Sequence, residues 1–203
     1  MEFQSAGFQN LGSWLGRLIR LDLTVFDDVR DDASATGPAI AVVVVASFLA
    51  GLGTWLWAVV EDVADKGEVF VKATILGSIF QILLWVLWVW IAGMLLSRVF
   101  GVGADMNRLV RTMGLAFAPM AISLLVLLSV LSIPFAAIAI GATFLLTNAA
   151  IASATDAPAD RVALSNLIGF AAFALILGIL SNVAEWRELG GLAPGIFFFN
   201  LAW

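Results

Sequence analysis

Residues 98–119, RVFGVGADMNRLVRTMGLAFAP, decide the fold: one long apolar run ends, a short polar stretch bearing Arg98, Arg108 and Arg111 turns, and a second apolar run begins. Both flanking runs are long enough to cross hydrocarbon, for which ~20 apolar residues suffice. Arginines between two such runs mark a loop on the cytoplasmic side, where the excess of Lys and Arg collects.

The whole composition agrees. Hydrophobic residues make up 62% of the chain and charged ones 12%, with a mean hydropathy of +1.05. Soluble domains carry roughly 45–50% apolar residues, so this is an integral membrane protein. The net charge of −5 sits largely in clusters outside the apolar runs, Asp27, Asp28, Asp31 and Asp32, then Glu61, Asp62, Asp65 and Glu68. These read as solvated segments, and no basic patch points to nucleic acid.

Chemistry is narrowed by what is missing. The chain has no Cys, His or Tyr, which removes disulfides, the thiolate nucleophile, the usual general base and the commonest metal ligand. Gly101-Val102-Gly103 follows a membrane helix and lacks the strand, third glycine and later acid of a nucleotide loop. The carboxylate pairs Glu185/Glu188 and Asp156/Asp160 fall at helix ends beside water, where acids are ordinary. No enzyme, no cofactor and no metal site is expected.

Outward from the opening loop, residues 8–32 alternate at helical spacing, with Leu11, Trp14, Leu15, Leu18, Leu21, Val25 and Val29 on one face. This predicts an amphipathic helix, either lying at the membrane interface with Trp14 at headgroup level or packed on a partner or on the cytoplasmic loops. Thr36 is placed as an N-cap and Pro38 in the first turn of a first span over residues 39–60. In that span Ala46 and Ala50, and also Gly51 and Gly53, offer small faces to a neighbour. A second span covers residues 73–97, with Trp85, Trp88 and Trp90 well inside it. Trp85 and Trp88 share a face on which a pigment, quinone or carotenoid would stack; the simpler reading is packing within the bundle.

From Thr112 to Ser153 the apolar run is too long for one crossing, since a single helix would measure ~60 Å at ~1.5 Å per residue. Ser129, Ser132 and Pro134 place a turn, giving a third span over 112–131 and a fourth over 133–153, with Pro119 kinking or breaking the third. A fifth span follows over 162–183, and the chain closes on LAPGIFFFNLAW, residues 192–203.

Fold class is therefore all-α: a bundle of five transmembrane helices with an N-terminal amphipathic interfacial helix. Its parts are an amphipathic cytoplasmic segment (1–37), the five-span domain (38–184) and an aromatic tail (185–203). Arg17, Arg20, Arg30, Arg98, Arg108, Arg111 and Arg161 fall on one side, against Lys66, Lys72 and Arg187 on the other. This puts the N-terminus in the cytoplasm and the C-terminus outside an inner membrane.

VFDDVRDDASATGPAIAVVVVASFLAGLG (25–53) and WIAGMLLSRVFGVGADMNRLVRTMGLAFAP (90–119) resemble the prokaryotic branch of the Yip-domain family. The resemblance covers roughly residues 15–183. Arg111, Gly114, Ala116, Ala118 and Pro119 carry its most specific piece. It implies five spans and a cytoplasmic N-terminus. Eukaryotic members are linked to small GTPases, but the tyrosine motifs are missing here and only Gly37-Pro38 remains, so GTPase binding is not carried over. The leading function is a non-catalytic structural or accessory membrane protein. It would pack on other integral membrane proteins through its helices and through Phe197, Phe198, Phe199 and Trp203, with lipid around it. The alternative is a small-solute transporter or channel using Gln81, Thr147, Asn148 and Asn166.

Overall fold

In the computed structural model the described residues are 2–183, and they form an all-α membrane helical bundle with no strand among them. The helices are α1 (Glu2–Ile19), α2 (Val25–Asp31), α3 (Thr36–Val60), α4 (Lys66–Val99), α5 (Met106–Ala116), α6 (Ser132–Ala154) and α7 (Ala159–Val183). Five stretches are long and apolar enough to cross a bilayer: Ala33–Val60, Lys66–Val99, Met106–Leu127, Ser129–Ala154 and Ala159–Leu180.

Each of these begins earlier than its apolar run. A helix leaves its first amide donors unpaired, so it starts in polar sequence that can receive them. The Asp105 carboxylate accepts from the Asn107 amide at 2.8 Å to start α5. Asp32 accepts from Ser34 at 2.8 Å and so caps the short 3₁₀ turn Ala33–Ala35 that leads into α3. Asp32 rather than Thr36 therefore supplies the cap, while Pro38 does lie in the first turn of α3.

Pro119 acts where its chemistry requires. It has no N–H and disfavours the α conformation at the residue before it. The α-helix stops at Ala116, and Ala118–Leu127 continues as 3₁₀ helix. At ~2.0 Å rise per residue instead of ~1.5 Å, this wind carries the chain farther across the membrane for the same number of residues. Beyond Leu128 the chain turns, and the Ser132 hydroxyl donates to the Ser129 carbonyl at 2.9 Å.

The chain divides into two compact units. The first comprises the chain up to Val43 with Trp88–Ala118 and Phe144–Gly169. The N-terminal segment packs on the chain's own elements: Trp14, Leu18, Val25, Phe26 and Val29 are buried, and α2 packs on α5. The segment is two helices, not one. Leu21 takes a left-handed φ of 58° at the C-terminal cap of α1, so the helical period breaks there and Leu21, expected on the inward face, is 73% exposed.

Among the described residues, the second unit comprises Val44–Leu87, Pro119–Thr143 and 170–183. Its helices approach through small residues. A Cβ on Gly51 would stand 2.4 Å from the Ala73 carbonyl oxygen, and one on Gly53 2.3 Å from that of Ser123. At this proximity the Thr74 hydroxyl donates to the Gly51 carbonyl (3.2 Å) and Ser78 to that of Ser47 (3.2 Å). Trp55 donates to the Lys66 carbonyl at 3.1 Å and meets the Phe70 ring edge-on, pinning the acidic loop after α3. Across both units large apolar side chains such as Val45, Leu83, Leu145 and Leu175 remain exposed, the surface a bilayer would cover. Trp90 is among them, so of the three tryptophans placed inside α4 two are buried and one faces outward.

Gly51 has no room for a larger residue because backbone opposes it. Gly51→Leu is expected to destabilise the bundle by about 1–3 kcal/mol, read as a lower unfolding midpoint in detergent. Gly141→Ala, where nothing lies within 4 Å, should leave that midpoint unchanged.

Candidate functional site

Part of the charge that the spans exclude stands at the helix ends of the first unit. On α2, Val25, Phe26 and Val29 point into the protein, which leaves Asp27, Arg30 and Asp31 on the outer face. Residues four apart share a helix face, so Asp27 and Asp31 stand one turn apart beside the arginines of α5. Arg108 pairs with Asp31 at 2.7 Å. Arg111, one turn further along α5, has no carboxylate partner among the described residues. Its Nε donates to the Thr36 hydroxyl and its Nη1 to the Arg30 carbonyl, both at 2.9 Å. One planar guanidinium thus ties α5 to the end of α2 and to the first residue of α3, a fork that a lysine ammonium cannot reproduce.

The same face reaches α6. Arg30 donates to the Ser153 carbonyl at 2.7 Å, next to the helix C-terminus, where a cation is favoured. The Ser153 hydroxyl returns a hydrogen bond to Asp27 at 2.8 Å. Arg161, at the start of α7, donates to the Phe100 carbonyl at 3.1 Å and lies 5.8 Å from the centroid of its ring. These contacts surround an open cleft of about 410 Å³ lined by Arg30, Arg108, Asp105, Asp156, Ser153 and Thr155, with Gly103, Ala104 and Ala154 between them.

A second clamp holds the α1–α2 turn. Arg17 bonds Asp22 at 2.7 Å, the Thr24 hydroxyl at 2.8 Å, and Asp28. The Thr24 hydroxyl and then the Arg17 guanidinium hold the Asp22 carboxyl below the usual carboxylate range, and Asp28 and Asp22 raise Arg17 in return. At the strained Leu21, these bonds oppose the left-handed cost of roughly 1–2 kcal/mol.

Of the residues singled out from the sequence, Arg108 and Arg111 lie on α5 and not in the loop before it. Arg98 is exposed at the end of α4. Gly114 is buried; a Cβ there would lie 2.9 Å from that of Ala39, which lets α5 and α3 touch. Trp88 is fully buried, its indole N–H donating to Asn166 Oδ1 at 3.1 Å, and the absence of a Cβ at Gly169 makes room for its ring. Trp85 is also buried, with its indole nitrogen unpartnered. The Asn166 amide nitrogen donates to the Phe144 carbonyl at 3.0 Å, so both ends of that amide are engaged. Phe197, Phe198, Phe199 and Trp203 lie outside the described residues.

The sequence read Asp27 and Asp31 only as solvated charge and Asp156 only as an acid at a helix end, and gave no role to the side chains of Ser153 and Thr155. The one available signal was the spacing of Asp27 and Asp31, four apart and so on one face of a helix. Comparison with known proteins gives one match: the family model of the Yip1 domain covers residues 23–182. Neither the curated proteins nor the solved structures yield a match to the chain.

Replacing Arg111 by Met keeps the stem and removes both donated bonds. The expected loss is about 1–3 kcal/mol, seen as faster proteolysis within residues 20–35, with Arg111→Lys intermediate. The Asp22 clamp contributes above the unfolded carboxylate pKa and is lost as pH falls through its lowered folded value. Pepsin cleavage near Leu21 should therefore accelerate only below about pH 3.9. Asp22→Asn should loosen the turn already at neutral pH.

Proposed function

The chain belongs to the Yip1 domain family, and from that premise we propose that it is a non-catalytic multi-pass membrane protein, a structural or accessory subunit that packs against a larger membrane complex. The observation that carries this reading is where charge is missing. No ionisable side chain occurs in residues 39–60, 73–97, 112–127, 133–153 or 162–180. Proteins that move ions or protons place such groups within the membrane, along the pathway.

Two of the four polar residues offered for transport, Asn166 and Thr147, make bonds within the bundle. Asn166 links Trp88 to the Phe144 carbonyl, and the Thr147 hydroxyl donates to that same carbonyl at 2.9 Å. A side chain engaged in this way is not available to replace the hydration of a passing solute.

The partners are lipid and other integral membrane proteins; GTPase binding is not part of the reading. The excess of arginine at one set of helix ends favours a cytoplasmic N-terminus and a C-terminus outside an inner membrane. Docking falls to the aromatic segment 192–203, which lies beyond the family match. Phe197, Phe198, Phe199 and Trp203 are too few to span a bilayer and apolar enough to seek a protein groove.

Deleting residues 192–203 should release the protein from its partner during purification in mild detergent while the spans remain folded. Unchanged co-purification would remove the tail from the interface.

A further inference from the structure

The cleft of about 410 Å³ in the first unit combines four charged side chains of both signs, Arg30 and Arg108 against Asp105 and Asp156. It is built by the loop after α4, the first turn of α5, and the end of α6 with the turn beyond it. Two apolar stretches, Met106–Leu127 and Ser129–Ala154, begin or end there, so it opens where hydrocarbon gives way to headgroups.

We propose that this cleft binds the zwitterionic headgroup of an ethanolamine phospholipid. Its lining favours a zwitterion over either simple ion. The Arg108 guanidinium offers donors to a phosphate while the Asp156 carboxylate offers an acceptor to an ammonium, so the lining matches a group that carries both. Arg108 makes one ion pair through Nη2, to Asp31, and a guanidinium has five N–H donors, so donors remain for a phosphate. Asp156 makes no hydrogen bond or ion pair among the described residues and is exposed, so its carboxylate is free to accept from a primary ammonium.

The same lining separates ethanolamine from choline. A quaternary ammonium offers no N–H and is recognised by aromatic faces, and none of the nine lining residues is aromatic. A primary ammonium donates three hydrogen bonds, which Asp156 and the Ser153 and Thr155 hydroxyls are of the type to accept. Free phosphoethanolamine has the same headgroup chemistry. The location at the ends of the spans, where the bilayer presents headgroups at high local concentration, favours the lipid.

The test is native mass spectrometry of the full chain extracted from nanodiscs holding equal phosphatidylethanolamine, phosphatidylcholine and phosphatidylglycerol. The first lipid should be retained preferentially. Asp156→Asn, which removes no bond among the described residues, should lower that preference about two- to fivefold, and Asp156→Lys should shift retention toward phosphatidylglycerol. Asp65→Asn, in the other unit, should change nothing. Equal retention of the ethanolamine and choline lipids, or an Asp156→Asn protein that retains lipid as the wild type does, overturns the proposal. Saturable binding of soluble phosphoethanolamine without retention of the lipid overturns the lipid assignment and leaves a soluble zwitterion as the ligand.

Discussion

An ionised side chain at the centre of a membrane helix costs roughly 2.5–3.5 kcal/mol on insertion scales, and the rest of this structure depends on that penalty. Charge is confined to the ends of the apolar stretches, and there it becomes the main means of joining one element to the next. Arg111 is the clearest case. A guanidinium within α5, beside buried Thr112, has no carboxylate partner among the described residues and gives its donors to a hydroxyl and a main-chain carbonyl on two other elements. Arg30 and Arg161 repeat the arrangement toward Ser153 and Phe100, so arginine-to-carbonyl bonds recur at several helix ends.

Within the spans the same penalty applies to the backbone, and the chain meets it in two ways. Helix satisfies nearly every main-chain group locally. Where Pro119 breaks the α pattern, 3₁₀ turns take over, so the donors continue to find carbonyls. Lipid is as apolar as the side chains, so burying apolar surface does not drive one helix onto another. Close packing and interhelical hydrogen bonds must do so. Gly51, Gly53, Gly114 and Gly169 provide the closeness, and Thr74, Ser78 and the Trp88–Asn166 pair provide the bonds.

The N-terminal segment obeys different physics. It lies outside the apolar stretches, so water can meet its charges and its apolar face can be buried by the ordinary hydrophobic effect. That explains why α2 presents three buried apolar residues and four charged ones within a single short helix. It also explains why the acidic cluster, which alone reads as a solvated surface, serves as the counter-charge for Arg30 and Arg108.

Residue order was sufficient for the five apolar stretches, the turn at Ser129–Pro134, the break at Pro119 and the small-residue contacts at Gly51 and Gly53, because each follows from local preference or from the thickness of a bilayer. Those are properties of consecutive residues. The pairing of Asp31 with Arg108, the fork of Arg111 on Thr36 and Arg30, the strut between Trp88 and Asn166, and the cleft bounded by Asp105 and Asp156 were decided by tertiary structure alone. Each joins residues tens of positions apart, and the strength of a charge or hydrogen bond depends on distance and surroundings that only packing sets. Leu21 shows the boundary between the two: helical periodicity put it on the inward face, and one left-handed residue, held by Arg17, Asp22 and Thr24, turned it outward.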